Sequence, residues 1–348
     1  MVQAELEQPF EEEEREEPPK PQFRLLRVLP VVIVLALLAN FILPRIGTID
    51  EALKTVRTMA PWAVGMACLM EFLSYVANGA LLQSVVTLMG ERISLRRAAV
   101  IEIGAATVAI VAAGALGFGA SIYRWTRNSG LSQRTAMLAS WVPSLFDSVT
   151  IIVFALIGAI ELLFLHKLSH TTLVALAIVI SVLLALIGTI IMLLVKNEWL
   201  IALSTWAARV IQRIRPSVDD VKFVDAAQRA AETWHTLKRG GWIRPAVSSM
   251  MVMTFDFLCL RYALLAAGQH PYFHLILAGY GVPLLLGRAS FIPGGIAVTE
   301  VAMAAILGGL GIPAAAAVIA VLVYRLISFW IPALVGIPIV LTLQAKRR

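Results

Sequence analysis

Charge is what this sequence has least of. Charged residues make up 15% of its 348 positions and hydrophobic residues 59%, against about 25% and 45–50% in soluble domains. With a mean hydropathy of +0.83, a water-soluble globular fold is excluded and a polytopic membrane protein is expected. Cysteine is nearly absent: Cys68 and Cys259 both stand inside apolar runs, at no metal or disulfide spacing, and are read as packing residues. Histidine is scarce too. His270 and His274 share a helical spacing but have no third ligand nearby, so no metal site is expected. No nucleophile–base set and no nucleotide-binding loop is present, which argues against an autonomous enzyme and leaves no cofactor expected. No basic stripe interleaves with exposed aromatics, so nucleic acid is not an expected partner.

What is there is a series of apolar runs separated by basic loops. Residues 1–24 are acidic and proline-rich, lack the basic start of a secretory signal, and are expected to be a disordered cytoplasmic tail. Residues 25–345 read as one all-α transmembrane domain. Full spans are expected at 25–43, 61–88, 135–165, 172–195, 245–267 and 313–343, with a short amphipathic connector at 48–59. The stretch 196–244 is polar and carries nine basic residues; Leu200, Leu203, Ala207, Val210 and Ile214 repeat at helical spacing within it. It is expected to lie in the cytoplasmic headgroup layer. Basic loops at Arg92, Arg96 and Arg97 and at Arg124, Arg127 and Arg134, with Lys346 to Arg348, place both termini inside by the positive-inside rule. Arg45, Lys54 and Arg57 fall on the outer side in this topology and run against it.

Two apolar segments are too interrupted to be simple spans. Residues 98–122 contain GALGFGAS and have basic clusters on both sides, which suits a re-entrant pair of half-helices better than a crossing. Residues 280–300 carry Gly281, Pro283, Gly287, Pro293, Gly294 and Gly295 between Tyr280 and Glu300, with Arg288 among them. The segments that follow echo each other: Gly130-Leu131-Ser132 leads to Asp147 at the same interval as Gly311-Ile312-Pro313 leads to Ser328. The expected architecture is therefore about six full spans plus two re-entrant elements in a candidate inverted repeat, a pattern that points to the substrate site of secondary transporters.

The C-terminal third carries a specific signature, PGGIAVTEVAMAAILGGLGIPAAAAVIAVLVYRLISFW, from Pro293 to Trp330. It resembles the transmembrane region of the lysylphosphatidylglycerol synthase family, in which Pro-Gly-Gly-(aliphatic)-Gly-Val-x-Glu precedes Gly-(aliphatic)-Pro and Tyr-Arg. Pro293, Gly294, Gly295, Val298, Glu300, Gly311, Pro313, Tyr324 and Arg325 match; Ala297 stands where the family more often has glycine. SIYRWTRNSGLSQRTAMLASWVPSLFD, ending at Asp147, is similar to the family's earlier loop and aspartate. The resemblance implies helices that help phospholipids, including aminoacylated ones, cross between leaflets of the plasma membrane. In bifunctional members a soluble aminoacyl-transferase domain follows; none is seen here after the last apolar stretch, so an enzyme is not expected.

Charges retained at membrane depth are the candidate site, since each is unfavourable there by about 2.5–3.5 kcal/mol on insertion scales unless paired or wet. Glu300 is expected to pair with Arg325, with Arg288 as a competing partner; an arginine here suits a lipid phosphate, and Glu300 an ammonium group. The same pair read structurally would only pin the loop. Asp256 and Arg261 lie off one helical face, and Asp147 is a candidate partner for Arg261. Glu71 and Glu102 are candidates for proton coupling. Arg124 and its neighbours face anionic headgroups. The leading expectation is a lipid flippase. The alternatives are an accessory subunit that binds a lipid-linked substrate for an envelope glycosyl- or acyl-transferase, and a small-solute transporter. Membrane phospholipids, a second copy of the chain and an envelope enzyme are the compatible partners.

Overall fold

A computed structural model of the chain describes residues 58–111, 114–164, 241–290 and 292–345, together with 180–182, 184–185 and 188. The expected tail, the span at 25–43, and most of the connector at 48–59, the span at 172–195 and the interfacial segment at 196–244 lie outside the described residues. Within them all regular structure is helical. Nine helices are described: α1 (Pro61–Leu88), α2 (Leu95–Val111), α3 (Ala115–Arg127), α4 (Gln133–Phe164), α5 (Ile243–Ala266), α6 (Phe273–Ala289), α7 (Val298–Gly309), α8 (Ala314–Arg325) and α9 (Ile331–Ala345). α1, α4, α5 and the combined α8–α9 are long and apolar enough to cross a membrane. The chain is an all-α polytopic membrane protein.

α1 and α5 run antiparallel along their length. The Ala60 N–H donates to the Ala266 carbonyl at one end, and Ser74 Oγ donates to the Val252 carbonyl further in. α4 and α6 form a second antiparallel pair, drawn close where Gly281 meets the backbone of Phe154 and Ala155. Any side chain at Gly281 would overlap that backbone, and small residues of this kind are what allow helices to approach closely in lipid.

The two interrupted segments are helical hairpins that open at opposite ends of the bundle. In the first, α2 ends at Val111, Gly114 takes φ +56, and α3 returns. Its outer ends meet: Arg97 Nε donates to Ser129 Oγ at 3.1 Å. In the second, α6 leads to Pro293–Gly295, a single 3₁₀ turn, and α7 returns, with Gly279 against Leu307 near the open end and Gly287 against Thr299 near the tip. That tip packs against α2 of the first hairpin.

Three sequence expectations are adjusted by this. The second element is interrupted only after α6, at the Pro293–Gly295 turn; Gly281 and Pro283 stand inside a continuous α6, where Gly281 serves packing and Pro283 is accommodated within the helix. Arg124 and Arg127 occupy the last turn of α3, where cations complement the helix C-terminus. The last span is interrupted by a π turn, Leu326–Trp330, held across the bundle by Tyr75, whose hydroxyl donates to the Ser328 carbonyl at 3.1 Å.

The loops give the bundle a polarity. Arg92, Arg96, Arg97, Arg124, Arg127, Arg134 and Arg244 all gather at the end where α1 finishes and α5 begins. The described loops at the opposite end, 58–60, 267–272 and 310–313, contain no lysine or arginine. At the basic end Glu91 accepts hydrogen bonds from the Ser132 N–H at 3.0 Å and from the Ser132 and Thr135 hydroxyls, tying the α1–α2 loop to the start of α4.

Candidate functional site

The polar groups inside the bundle fall into two layers. The layer further from the basic end is centred on Arg325, at the end of α8 and 6% exposed. Its Nε donates to Glu300 Oε1 at 2.6 Å and its Nη2 to the Gly294 carbonyl at 2.8 Å. The guanidinium also lies over the Phe329 ring, 4.5 Å from its centroid. This explains the motif physically. Gly294 takes φ +68 and turns its carbonyl toward the arginine, and Phe329 fills the space where a side chain at 294 would stand. Ala297 precedes α7 at φ +69, the left-handed region in which an alanine is strained by roughly 1–2 kcal/mol. The family's usual glycine at that place is thereby accounted for.

Beside this ion pair sits a second acid. Asp256 on α5 accepts hydroxyl hydrogen bonds on Oδ2 from Tyr280 at 2.5 Å and Tyr324 at 2.8 Å. Glu71 on α1 is buried next to Asp256 and Cys259. The layer thus ties α1, α5, α6, α7 and α8 together, with Tyr280 and Tyr324 fully buried and Asp256 half-buried.

The other layer lies nearer the basic end. Ser249 is seven residues from Asp256 on α5, about 10 Å along the helix at about 1.5 Å per residue. Its hydroxyl donates to Asp147 Oδ1 on α4 at 3.0 Å and pairs with the Thr150 hydroxyl at 2.8 Å. Arg288, in the last turn of α6, is near enough to act electrostatically on Asp147, as is the buried Glu102 of α2. Arg288 is exposed and makes no hydrogen bond or ion pair with the described residues. Its guanidinium therefore keeps hydrogen-bonding capacity that the described residues do not use.

The sequence-derived candidates sort accordingly. Glu300, Arg325, Gly294, Tyr324, Asp256 and Glu71 meet in the closed layer, and the 3₁₀ turn places Pro293 and Gly295 beside it. Arg288, Asp147 and Glu102 meet in the open one. The pairing of Asp147 with Arg261 is not made: Arg261 lies over the Phe273 ring at 5.5 Å near the opposite end of α5, twelve residues from Ser249. Arg124 is exposed at the basic end, in neither layer. Sequence reasoning missed Tyr280, Tyr75, Ser249 and Thr150. The two tyrosines carried a usable signal, because each stands well inside an apolar run and not at the interface positions tyrosine favours.

This geometry can be set against known proteins. Residues 25–336 match the family described as the lysylphosphatidylglycerol synthase TM region. The UPF0104 membrane protein PH1989 of Pyrococcus horikoshii is 26% identical over 204 residues, a stretch covering 55% of this chain and 59% of that protein. The chain therefore spans under two thirds of that relative's length. The match runs through both hairpins and their charged layers, and this chain belongs to the lysylphosphatidylglycerol synthase TM-region family.

Proposed function

We propose that this protein moves phospholipids between membrane leaflets, taking the headgroup into a water-filled crevice at Arg288, where a bare charge in hydrocarbon would be unfavourable, while the acyl tails stay in the bilayer. The observation that carries the reading is the exposure of Arg288 at the inner end of a broken hairpin, where its guanidinium has no partner among the described residues. A guanidinium suits a phosphate by bidentate hydrogen bonding. Asp147 opposite it suits an ammonium group, so a headgroup bearing both charges fits the pair. The membrane lipid association of the family supports the substrate class.

In this reading the two hairpins are re-entrant elements of an inverted repeat, as in transporters built from broken helices. The basic end is cytoplasmic, where arginines at the loop ends attract anionic lipid to the crevice in a plasma membrane. Translocation needs no covalent step, and none is assigned to the chain. Glu300 and Arg325 act by holding the hairpin tip in shape.

The test is reconstitution of the full chain into vesicles containing fluorescent phosphatidylglycerol or its lysyl derivative, with leaflet exchange read by quenching of the outer leaflet. Exchange faster than in protein-free vesicles, and slowed by Arg288→Ala, is expected. A folded wild-type protein that exchanges neither lipid overturns the reading. Orientation is checked separately by labelling Gln269→Cys in intact cells with an impermeant thiol reagent, in a background lacking the exposed Cys68; labelling is expected from outside only.

A further inference from the structure

The closed layer holds an acid pair that lipid binding at Arg288 does not use. Glu71 is 5% exposed and faces Asp256 and Cys259 across the α1–α5 contact. Asp256 Oδ2 is already the acceptor for two tyrosine hydroxyls, from Tyr280 on α6 and Tyr324 on α8. Glu71 Oε2 is buried and has no hydrogen-bond partner among the described residues. The cation within electrostatic reach, Arg325 on α8, is committed to Glu300 and the Gly294 carbonyl. Tyr75, one turn along α1 from Glu71, donates its hydroxyl to the Ser328 carbonyl, and Glu102 of α2 acts on Tyr75 from further off. Among the described residues, these are the titratable and charged groups facing the pair from the helices packed around it.

Two neighbouring carboxylates, Glu71 buried and Asp256 half-buried, repel each other, and a buried oxygen with neither donor nor proton is unfavourable by roughly 1–3 kcal/mol. One proton between them relieves both conditions, in the way that paired aspartates share a proton in other proteins. The tyrosine hydroxyls make Asp256 the acceptor, which leaves Glu71 Oε2 as the atom that carries the hydrogen. We propose that Glu71 and Asp256 hold a single exchangeable proton, and that its uptake from one side and release to the other drives lipid through the crevice. The coupling half rests on the lipid-translocation reading; the proton site itself does not. Only an O–H bond forms and breaks, and the proton comes from and returns to water. Removing it restores repulsion between α1 and α5 in the layer that closes the crevice from the opposite end, so the charge state biases open against closed.

Two measurements on the full chain separate the parts. Infrared difference spectroscopy of the detergent-solubilised protein across neutral pH is expected to show the C=O stretch of a buried carboxylic acid. That band is expected to be lost in Glu71→Gln, shifted in Asp256→Asn and kept in Glu71→Asp. A wild-type protein with no such band, or a band unchanged in both Glu71→Gln and Asp256→Asn, overturns the proton site whatever the lipid result. In vesicles with an imposed pH gradient, fluorescent phosphatidylglycerol exchange is expected to accelerate in the wild type and to lose that acceleration in Glu71→Gln, with gradient-free exchange retained. Exchange indifferent to the gradient in the wild type, or equally accelerated in Glu71→Gln, overturns the coupling while leaving translocation standing. If no exchange is seen at all, translocation fails and the infrared arm alone decides the site.

Discussion

Arg325 is buried and answers to three partners, Glu300, the Gly294 carbonyl and the Phe329 ring, whereas Arg288 is exposed and answers to none of the described residues at hydrogen-bond distance. Both arginines end a helix of the C-terminal half, and both flank the same broken loop. The difference lies in what their desolvation would require. Arg325 is out of water, and its charge is compensated within the protein; removing any partner strands the others. Arg288 keeps its solvent, so its hydrogen bonds remain available to something that enters. Arg325 therefore belongs to the fold, and under the lipid-translocation proposal Arg288 belongs to the headgroup that enters.

The comparison can be broken most forcefully at the closed site. Arg325→Ala leaves Glu300 buried without its cation and is expected to destabilise the protein by about 3–5 kcal/mol, the range for breaking a buried pair, as a large fall in thermal unfolding temperature in detergent. Glu300→Gln should do less, because an amide oxygen can still accept from Arg325. The open site should behave in the opposite manner. Arg288→Ala is expected to change stability by no more than about 0.5 kcal/mol, as for surface positions, and to slow phosphatidylglycerol exchange about tenfold or more, one charge-assisted hydrogen bond being about 1.5–3 kcal/mol. An Arg288→Ala protein that unfolds as readily as Arg325→Ala would erase the distinction between the two.

Smaller effects sharpen the same contrast. Ala297→Gly relieves a strained φ beside the Gly294 turn, offset by the greater freedom glycine has when unfolded. It is expected to stabilise by up to about 1 kcal/mol in the same unfolding assay, leaving Arg288-dependent exchange unaltered. The weakest effect is expected at the basic end, away from both arginines. Hydrogen bonds from Ser132 and Thr135 hold the Glu91 carboxyl below its ordinary range. A depressed value in the folded state contributes stability that is present above the unfolded value and is lost as pH falls through the folded one. The stability gap between wild type and Glu91→Gln should thus be present at neutral pH and close as the pH drops beneath the carboxylate range. Glu91 is near the surface, so solvent screening keeps this gap small.

The arrangement of the two cores bears on how the broken elements are held. One cluster joins α1, α4, α5, α6, α7 and α8, with Phe257, Tyr280, Leu307 and Tyr324 among its members; the other joins α1 to the first hairpin and α9 through Ile101, Trp125 and Leu343. α1 contributes to both. The second hairpin is thus embedded in the larger core, with its tip reaching across to α2. α1 also reaches the π turn of the last span, through the hydrogen bond from the Tyr75 hydroxyl to the Ser328 carbonyl.

Much of this was legible in the amino-acid sequence. The length and hydropathy of 61–88 and 245–267 set α1 and α5 nearly to the residue, because a continuous apolar run in lipid has to satisfy its backbone internally and so forms a helix. The basic loops told which ends lie together, and the Glu300–Arg325 pair followed from the rule that charges at depth find partners. Tertiary structure alone decided the rest. Whether Gly281 breaks a helix or lets two helices touch depends on what stands opposite, and Phe154 and Ala155 stand there from 126 residues away in the chain. Asp147 met Ser249 and the field of Arg288, not Arg261, because helix register sets depth and no local pattern encodes it. The burial that separates Arg325 from Arg288, and that leaves Glu71 facing Asp256, arises only when helices distant in sequence close around them.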